Sequence, residues 1–185
     1  MKKNFINNYI LEISSNLNFL IQKDFHKLIN LVKKIKKNKK KIIIAGNGGS
    51  AAMASHCCVD FTKTSRVRAI NFNEADLITC FANDYGYENW VVEGLKAYSN
   101  KDDLVILVSS SGQSKNIVNA AKYCHQNNIK LVTFTGFKKN NPVKKFGDLN
   151  FWVNSSIYNH IENIHQYWLL LITDLVNAQR KKNSL

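Results

Sequence analysis

The chain is poor in proline and cysteine: its 185 residues include one proline, Pro142, and four cysteines. A single proline excludes a proline-rich linker. The cysteines form no C-x-x-C pair, a pattern typical of reduced thiols and not of a disulfide framework; they are Cys57, Cys58, Cys80 and Cys124. No apolar run approaches the roughly 18 residues of a membrane helix. The N-terminal segment has no compact apolar block with a cleavage site. We therefore expect a cytoplasmic protein.

Arginine is also scarce, although the formal net charge is +13. Of the 26 basic residues, only Arg66, Arg68 and Arg180 are arginines, and the others are lysines. Reading bases in DNA depends largely on arginine forks, so a nucleic-acid partner is not expected. The lysines indicate a solvated surface, with electrostatic attraction of anionic substrates as the alternative.

The length and composition predict one folded domain over residues 1–185. Hydrophobic residues make up 45% and aromatic residues 11% of the chain, which excludes a disordered protein. Apolar residues keep helical spacing through 3–37, which predicts two N-terminal helices. We assign 1–37 to helices used in oligomerisation and 38–185 to a sheet core with a C-terminal helix.

Short apolar runs alternate with helical segments after residue 38. Strands are predicted at 42–45, 68–72, 104–108, 130–135 and 149–153, and helices at 51–62, 74–81, 88–98, 114–126 and 158–180. Unbroken apolar strands separated by helices predict an α/β fold, with a doubly wound parallel sheet of five strands between two helical layers. Such sheets bind ligands beyond the C-terminal ends of their strands.

Two loops at predicted strand ends carry the functional signal. The first is GNGGS at 46–50, where glycines allow close backbone approach to a ligand and Ser50 can cap the next helix. The second is SSSGQS at 109–114, with four hydroxyls before another helix. Helix N-termini favour anions, so the two loops together predict a phosphate site. Neither loop matches a dinucleotide or nucleoside-triphosphate motif, so no nucleotide cofactor is expected.

The order of these motifs resembles a known family. GNGGSAA is followed by a histidine, then by ANDYG at 82–86, SSSGQS, and IENIH before the long C-terminal helix. This arrangement is similar to the SIS (sugar isomerase) domain, which has a flavodoxin-like three-layer fold. Within that family it most resembles the phosphoheptose isomerases, which convert sedoheptulose 7-phosphate to a heptose 7-phosphate in heptose and surface-polysaccharide biosynthesis.

The resemblance implies a phosphorylated sugar as partner and assigns roles to matching positions. By it, Asn47, Gly48, Gly49 and Ser50 line the substrate, Asn83 and Asp84 reach sugar hydroxyls, and Ser109, Ser110, Ser111 and Ser114 hold the phosphate. It also implies a homotetramer with sites between subunits. The two N-terminal helices, placed outside the sheet core, fit that assembly.

The catalytic positions depart from the family pattern. The family uses a glutamate base and a zinc site made by a histidine, that glutamate, a glutamine and a second histidine. His56 matches the first histidine, but Asp60 stands at the glutamate and Glu162 at the glutamine. Leu170 stands at the second histidine and can neither bind zinc nor carry a proton.

Three hypotheses follow from these departures. In the first, His56, Asp60 and Glu162 form a rebuilt zinc site with an open position, and His165, or less directly His160, serves as acid or base. In the second, the enzyme isomerises another sugar phosphate, without metal, and uses Asp60 or Glu162 as base. In the third, the chain is a non-catalytic phosphosugar-binding or protein-interaction regulator, as some relatives are.

Overall fold

The computed structural model of the protein describes residues 2–18 and 22–181. The strands are β1 (Lys41–Ala45), β2 (Arg68–Ile70), β3 (Leu104–Ser109), β4 (Lys130–Thr135) and β5 (Leu149–Trp152). The helices are α1 (Lys2–Asn18), α2 (Gln22–Lys37), α3 (Gly49–Lys63), α4 (Ala75–Tyr85), α5 (Trp90–Tyr98), α6 (Lys115–Gln126) and α7 (Tyr158–Lys181). Within these ranges, no helix has the length and apolar character needed to cross a membrane.

All five strands are parallel and lie in the order β2-β1-β3-β4-β5. This confirms the predicted doubly wound α/β sheet. The strand that follows β1 in sequence, β2, lies at one edge of the sheet, whereas β4 and β5, which follow β3, lie on the other side. The direction of winding therefore reverses between β1 and β3, which are neighbours in the sheet. A crevice forms at such a switch point, and both predicted ligand loops follow the strands that flank it.

The sheet is buried on both faces, as unbroken apolar strands require. Side chains alternate along β1: Ile42 and Ile44 join one core cluster, and Ile43 and Ala45 join the other. The first cluster contains side chains from α2, α3 and α7, and the second from α5 and α6. The helices therefore form the two outer layers of a three-layer domain.

Most predicted elements are present with shifted ends. Helix α3 begins two residues earlier than predicted, at Gly49, because Gly48 takes a positive φ of 53° at the N-cap. The expectation that Ser50 caps this helix is therefore wrong, since Ser50 lies inside the first turn. Strand β2 stops at Ile70 instead of residue 72, and α5 begins at Trp90 instead of residue 88.

The two N-terminal helices have different environments. Leu28 and Val32 of α2 are fully buried in the first core cluster. The expectation that both helices lie outside the core is therefore wrong for α2, whose strongly apolar face packs beside the sheet. Among the described residues of helix α1, only Ile13 and Leu17, both partly buried, pack against this cluster, and the helix also makes polar contacts, among them Ser155 Oγ donating to Glu12 Oε1 at 2.8 Å.

Candidate functional site

A cavity of about 110 Å³ lies at the switch point between β1 and β3. It is bounded by both predicted ligand loops and by the start of α7. Its lining residues are Asn47, Ser50, Val108, Ser109, Ser110, Ser111, Ser114, Tyr158 and Glu162. The structure thus brings six of the predicted substrate-binding side chains together with one of the predicted carboxylates.

The hydroxyl groups of Ser109 and Ser110 are the most unusual feature of this cavity. Both residues are only 5% exposed, and neither hydroxyl has a hydrogen-bond partner among the residues that the structure describes. Burying a polar group without a partner costs about 1–3 kcal/mol. A ligand that brings oxygen acceptors into the cavity would recover this cost.

The serine loop, which we define as residues 109–114, turns sharply at Gly112. This residue has a positive φ of 63°, where side chains are disfavoured. A Cβ atom here would also overlap the side chain of Asn141. Asn141 is itself fixed, because its amide donates to Thr135 Oγ1 at 3.1 Å. The buried neighbour and the φ angle together require glycine, which gives the hydroxyls a fixed arrangement.

Asn47 lies in the loop after β1, residues 46–50, which we call the glycine loop. Three hydrogen bonds hold its side chain in place. The amides of Asn47 and Asn116 donate to each other's oxygen at 3.0 and 2.8 Å. The hydroxyl of Tyr87 donates to Asn47 Oδ1 at 3.3 Å. This arrangement joins the loop after β1 to helix α6, so the two sides of the cavity are braced against each other.

Glu162 reaches the first turn of α3 from the neighbouring helix α7. A Cβ atom at Gly49 would overlap the Glu162 carboxylate, so glycine here is what allows the close approach. The N-terminus of a helix carries partial positive charge and favours a carboxylate. Glu162 therefore places a carboxylate in the cavity wall, beside the N-terminus of α3.

Helices α3 and α7 run side by side in the same direction. Gly49 faces Glu162 at one end, and Ser65 Oγ donates to Thr173 O at 2.8 Å at the other. Between these contacts, Gln166 Nε2 lies 2.8 Å from His56 Nδ1. The two helices therefore form a line of polar contacts that starts at the cavity.

His56 and Asp60 form a partly exposed pair on α3. His56 Nε2 lies 3.6 Å from Asp60 Oδ2, and the two side chains are 54% and 31% exposed. An α-helix rises 1.5 Å per residue, so His56 lies about 9 Å along the axis from Ser50 in the cavity wall. His56 is thus separated from Ser50 by nearly two helical turns, and Asp60 lies one turn further along α3.

The predicted zinc ligands do not form one cluster. His56 and Asp60 lie together, but Glu162 lies at the start of α3. Within residues 2–18 and 22–181, no three histidine, cysteine, aspartate or glutamate side chains lie close enough to hold a metal ion. The zinc site therefore stays a prediction that the described part of one chain does not complete.

Cys57 and Cys58 follow His56 in sequence but point into the core. Burial raises the pKa of the Cys57 thiol to about 12 and that of Cys58 to about 11. A protonated thiol is neither a nucleophile nor a metal ligand. Both cysteines are therefore core residues that cannot share a metal ion with His56 on the exposed side of α3.

His165 was expected to serve as acid or base, but the structure places it in the core. It is fully buried, and its Nε2 lies 3.2 Å from the carbonyl oxygen of Thr135. Its ring packs edge-on against Phe134. Burial lowers the pKa of His165 to about 4, with the hydrogen bond to Thr135 opposing the shift. The ring is not among the cavity's lining residues, so we remove it from the candidate catalytic set.

The buried ring makes a testable contribution to acid sensitivity. A folded-state pKa below the unfolded value near 6.5 means that the unfolded chain binds the proton more readily. The contribution of the neutral His165 ring to the free energy of unfolding is complete above about pH 6.5 and is lost as the pH falls toward 4. At pH 5 the loss is about 2 kcal/mol. In His165→Gln, the free energy of unfolding should fall less between pH 7 and 5 than in wild type. Urea unfolding at both pH values measures it, and an equal fall in the two proteins would contradict the prediction.

His160, the weaker acid–base candidate, also lies away from the cavity. It is 1% exposed, its ring centroid lies 4.1 Å from that of Tyr9, and its Nδ1 lies 3.1 Å from Glu12 Oε1. Hydrogen bonds from Ser155 and then from His160 hold the pKa of Glu12 below its usual range. His160 therefore connects α7 to α1. Leu170 is partly buried against the first core cluster.

Asn83 and Asp84 lie on the exposed end of α4 and do not line the cavity. Asn83 Nδ2 donates to Asp84 Oδ1 at 2.9 Å. Their predicted contact with sugar hydroxyls stays a prediction. The nearest link between this segment and the cavity is Tyr87, through its hydrogen bond to Asn47.

Four polar residues of the site were not predicted from the sequence: Tyr87, Asn116, Tyr158 and Gln166. Tyr87 and Asn116 lie within three residues of predicted motifs, so proximity to those motifs was an available signal. Tyr158 is the first residue of α7. Gln166 has no local signal, because its contact depends on how α7 is aligned with α3.

The fold and the site define an α/β protein with a serine-lined crevice at the switch point of a doubly wound sheet. The chain belongs to the SIS domain family, whose sequence profile matches residues 7–136. It is 29% identical over 180 residues to a phosphoheptose isomerase of Fusobacterium nucleatum, covering 92% of each chain.

Two further comparisons agree with this assignment. The chain is 31% identical over 151 residues to a phosphoheptose isomerase of Aliarcobacter butzleri, covering 78% of this chain and 79% of that one. A solved phosphoheptose isomerase from Francisella tularensis superposes with a TM-score of 0.87 at 20% identity, over 96% of this chain and 99% of that one. At that identity the superposition supports the fold alone.

Proposed function

We propose that the protein is an aldose–ketose isomerase acting on a sugar phosphate, in the first place on sedoheptulose 7-phosphate to give a heptose 7-phosphate. The curated relatives described above are named phosphoheptose isomerases. The observation that carries the proposal is a single cavity containing both the unsatisfied hydroxyls of Ser109 and Ser110 and the carboxylate of Glu162.

The serine loop supplies the phosphate end of the site. Hydroxyl donors form stronger hydrogen bonds to a charged acceptor than to a neutral one. The N-termini of α3 and α6 meet at the same edge of the sheet and add partial positive charge. A carboxylate at Glu162 would repel a phosphate group. We therefore place the phosphate against the serines and the carbon chain of the sugar beside Glu162.

Isomerisation moves a proton between adjacent carbons and requires a base near that proton. Two carboxylates are available, Asp60 beside His56 and Glu162 in the cavity. Asp60 has an adjacent imidazole that can act on the sugar oxygens, which makes it our preferred base. Glu162 then contacts the part of the sugar that lies between the phosphate and the reacting carbons. No step in this scheme uses a metal ion.

Proton exchange in heavy water tests the proposal directly. The purified protein is mixed with sedoheptulose 7-phosphate and a panel of shorter ketose phosphates, and NMR follows deuterium at the carbon beside the carbonyl. Deuterium incorporation and a new aldose signal are expected. Parallel samples with zinc or a chelator determine whether a metal contributes. No exchange with any sugar would contradict isomerase activity.

A non-catalytic regulator that binds phosphosugars is the second candidate. The observation that favours it is Leu170, an apolar core-packed residue at a position where the family carries a histidine. This candidate predicts that inorganic phosphate and phosphosugars bind to the serine loop, while the heavy-water experiment shows no exchange. The two candidates thus differ only at the reacting end of the site.

We further propose that the protein is a homotetramer in which α1 contributes to an interface. Phe5, Ile6 and Ile10 are between 55% and 69% exposed, an unusual share for large apolar side chains on one helix. Ile10→Glu is expected to weaken assembly by about 30-fold or more, the effect of losing an interface hot spot.

Light scattering after size exclusion measures this effect over a dilution series. Asn8→Glu is the matched control, because it adds the same charge to α1 on the opposite side of the helix. Equal dissociation of both variants would show a general charge effect. A monomeric wild type would remove the tetramer from the proposal.

A further inference from the structure

A second cavity, of about 230 Å³, lies at the edge of the sheet opposite to the serine loop. It is bounded by the turn between α2 and β1 and by the turn between α3 and β2, so it lies at the N-terminal ends of these two strands. Strand β1 alone spans about 16 Å, which separates this cavity from the proposed isomerase site. We call it the basic cavity, and its lining residues are Lys36, Lys39, Lys40, Arg66, Val67 and Arg68.

The composition of the basic cavity is unlike that of the rest of the chain. Of the six lining residues that the structure describes, five are cationic and none is acidic. The chain has only three arginines, and two of them, Arg66 and Arg68, lie here. A guanidinium group presents paired N–H donors that match the oxygens of a phosphate or carboxylate group. The basic cavity therefore offers the donors that an anionic ligand needs.

The positive charges of the basic cavity are not neutralised by neighbouring carboxylates. Asp103, beside the start of β1, is engaged by Lys41 Nζ at 2.5 Å. Lys40 Nζ donates to Lys101 O at 2.8 Å, which is a neutral acceptor. Within the part of the chain that the structure describes, four cations of the cavity form no ion pair with a carboxylate: Lys39, Lys40, Arg66 and Arg68. Like charges held this close repel one another, and an anionic ligand would relieve that repulsion.

Hydrogen bonds to backbone carbonyls join the two turns that form the cavity. Arg68 Nη2 donates to Lys39 O, and Lys36 Nζ donates to Ser65 O at 2.5 Å. A carbonyl oxygen orients a cation but carries no net charge. These hydrogen bonds therefore fix the shape of the cavity without neutralising it.

Each turn holds a cation in a backbone conformation that side chains disfavour. Lys39 has a φ of 54° and Arg66 a φ of 55°, both in the left-handed region. Helix α2 ends at Lys39, where Lys40 N donates to Ile35 O at 3.0 Å. Glycine or asparagine usually takes the left-handed position of such a helix end. Strained residues of this kind are common at ligand-binding sites, so we infer that the charges at these two positions are used.

We propose that the basic cavity binds a small ligand that carries two or more phosphate groups, either free diphosphate or the diphosphate group of a nucleotide. One phosphate group carries up to about two negative charges near neutral pH, so five cations exceed what a single phosphate neutralises. Two phosphate groups together carry about three to four charges. The volume of the cavity admits these groups and leaves any attached nucleoside at its mouth.

The arrangement of the cations favours a small ligand over nucleic acid. Duplex DNA carries one charge per about 1.7 Å of its axis and is bound by cations spread along its backbone. In this protein the cations of the two turns surround one concave space. Binding of duplex DNA is therefore an alternative that the experiment must test separately.

The variant that tests the proposal changes Lys39 and Arg66 together to asparagine. Asparagine tolerates the left-handed conformation better than lysine or arginine, so the fold should be retained while two cations are lost. Isothermal titration calorimetry with inorganic pyrophosphate should show an affinity at least about 10-fold lower, since one hydrogen bond to a charged group contributes about this factor. The matched control, Lys122→Gln with Lys145→Gln, removes two exposed charges elsewhere and should bind as wild type.

The serine loop must be kept out of this measurement, because it is the proposed site of the sugar phosphate. All titrations are therefore repeated in the Ser109→Ala and Ser110→Ala background. Pyrophosphate should still bind in this background, and adding Lys39→Asn and Arg66→Asn should again weaken it by about 10-fold or more. Loss of pyrophosphate binding in the serine background alone would place the ligand at the serine loop and overturn the proposal.

The remaining outcomes decide the nature of the ligand. Equal affinities for pyrophosphate and ADP would support a site for the diphosphate alone, and tighter binding of ADP would support a nucleotide. An equal loss of affinity in the lysine control would show a general charge effect and overturn the proposal. Tighter binding of a 20-base-pair duplex than of either small ligand, lost on changing Lys39 and Arg66, would overturn it in favour of nucleic acid. None of these outcomes depends on isomerase turnover, so the two proposals can fail separately.

Discussion

Asp60→Asn is expected to lower isomerase turnover by about 100- to 10,000-fold, the usual contribution of a general base. The amide has nearly the same shape as the carboxylate but cannot take a proton from carbon. Asp60 lies ten residues, or about 15 Å along α3, beyond Ser50 and is not among the cavity's lining residues, so the affinity for phosphosugar should remain close to that of wild type. Deuterium exchange measures the first quantity, and isothermal titration calorimetry measures the second.

Asp102→Asn is the matched control for this variant. Asp102 is exposed and has a positive φ of 68°, a conformation that asparagine tolerates well. It should retain full activity and stability. If Asp60→Asn were as active as this control, the base would have to be another group, and Glu162→Gln would be the next variant to measure.

The double variant Ser109→Ala and Ser110→Ala should have opposite effects on binding and on stability. Each hydrogen bond to a charged group contributes about 1.5–3 kcal/mol. Losing both should weaken phosphosugar binding by about 3–6 kcal/mol in free energy, which is roughly 150- to 20,000-fold. The free energy of unfolding without ligand should instead rise by about 1 kcal/mol or more, because two buried groups without described partners are removed.

Ser65→Ala provides the contrast. Ser65 is also fully buried, but its hydroxyl donates to Thr173 O at 2.8 Å and lies far from the cavity. Its loss should lower the free energy of unfolding by about 1 kcal/mol and leave binding unchanged. Calorimetric titration and urea unfolding of both proteins measure all four quantities. A destabilised double variant with normal affinity would show that these hydroxyls are structural and not ligand-binding.

The sheet and its ligand loops could be predicted because their signals are local. The runs at β1 and β3 are apolar without interruption, and each is followed at once by glycine or serine. Buried parallel strands and tight turns require this chemistry. The strand order β2-β1-β3-β4-β5 was not predicted, because the long connection from β2 to β3 carries no local signal of which edge the chain returns to.

The chemistry along α7 could not be predicted in the same way. Glu162, His165 and Gln166 lie within two turns, yet they point respectively into the cavity, into the core and toward His56. Successive residues differ by 100° around a helix, so a small rotation of α7 decides which one meets α3. That rotation depends on packing against the whole sheet face and leaves no mark on the local sequence.

The length of α3 between Ser50 and His56 sets a length for the substrate. An extended chain advances about 1.2 Å per bond. From the first carbon of a seven-carbon sugar to a terminal phosphorus is eight bonds, or about 10 Å, against about 9 Å for the six-residue rise of the helix. A five-carbon sugar phosphate spans about 7 Å. With its phosphate beside Ser50 in the cavity wall, the shorter sugar would end before His56, so we expect the helix to select substrates by reach.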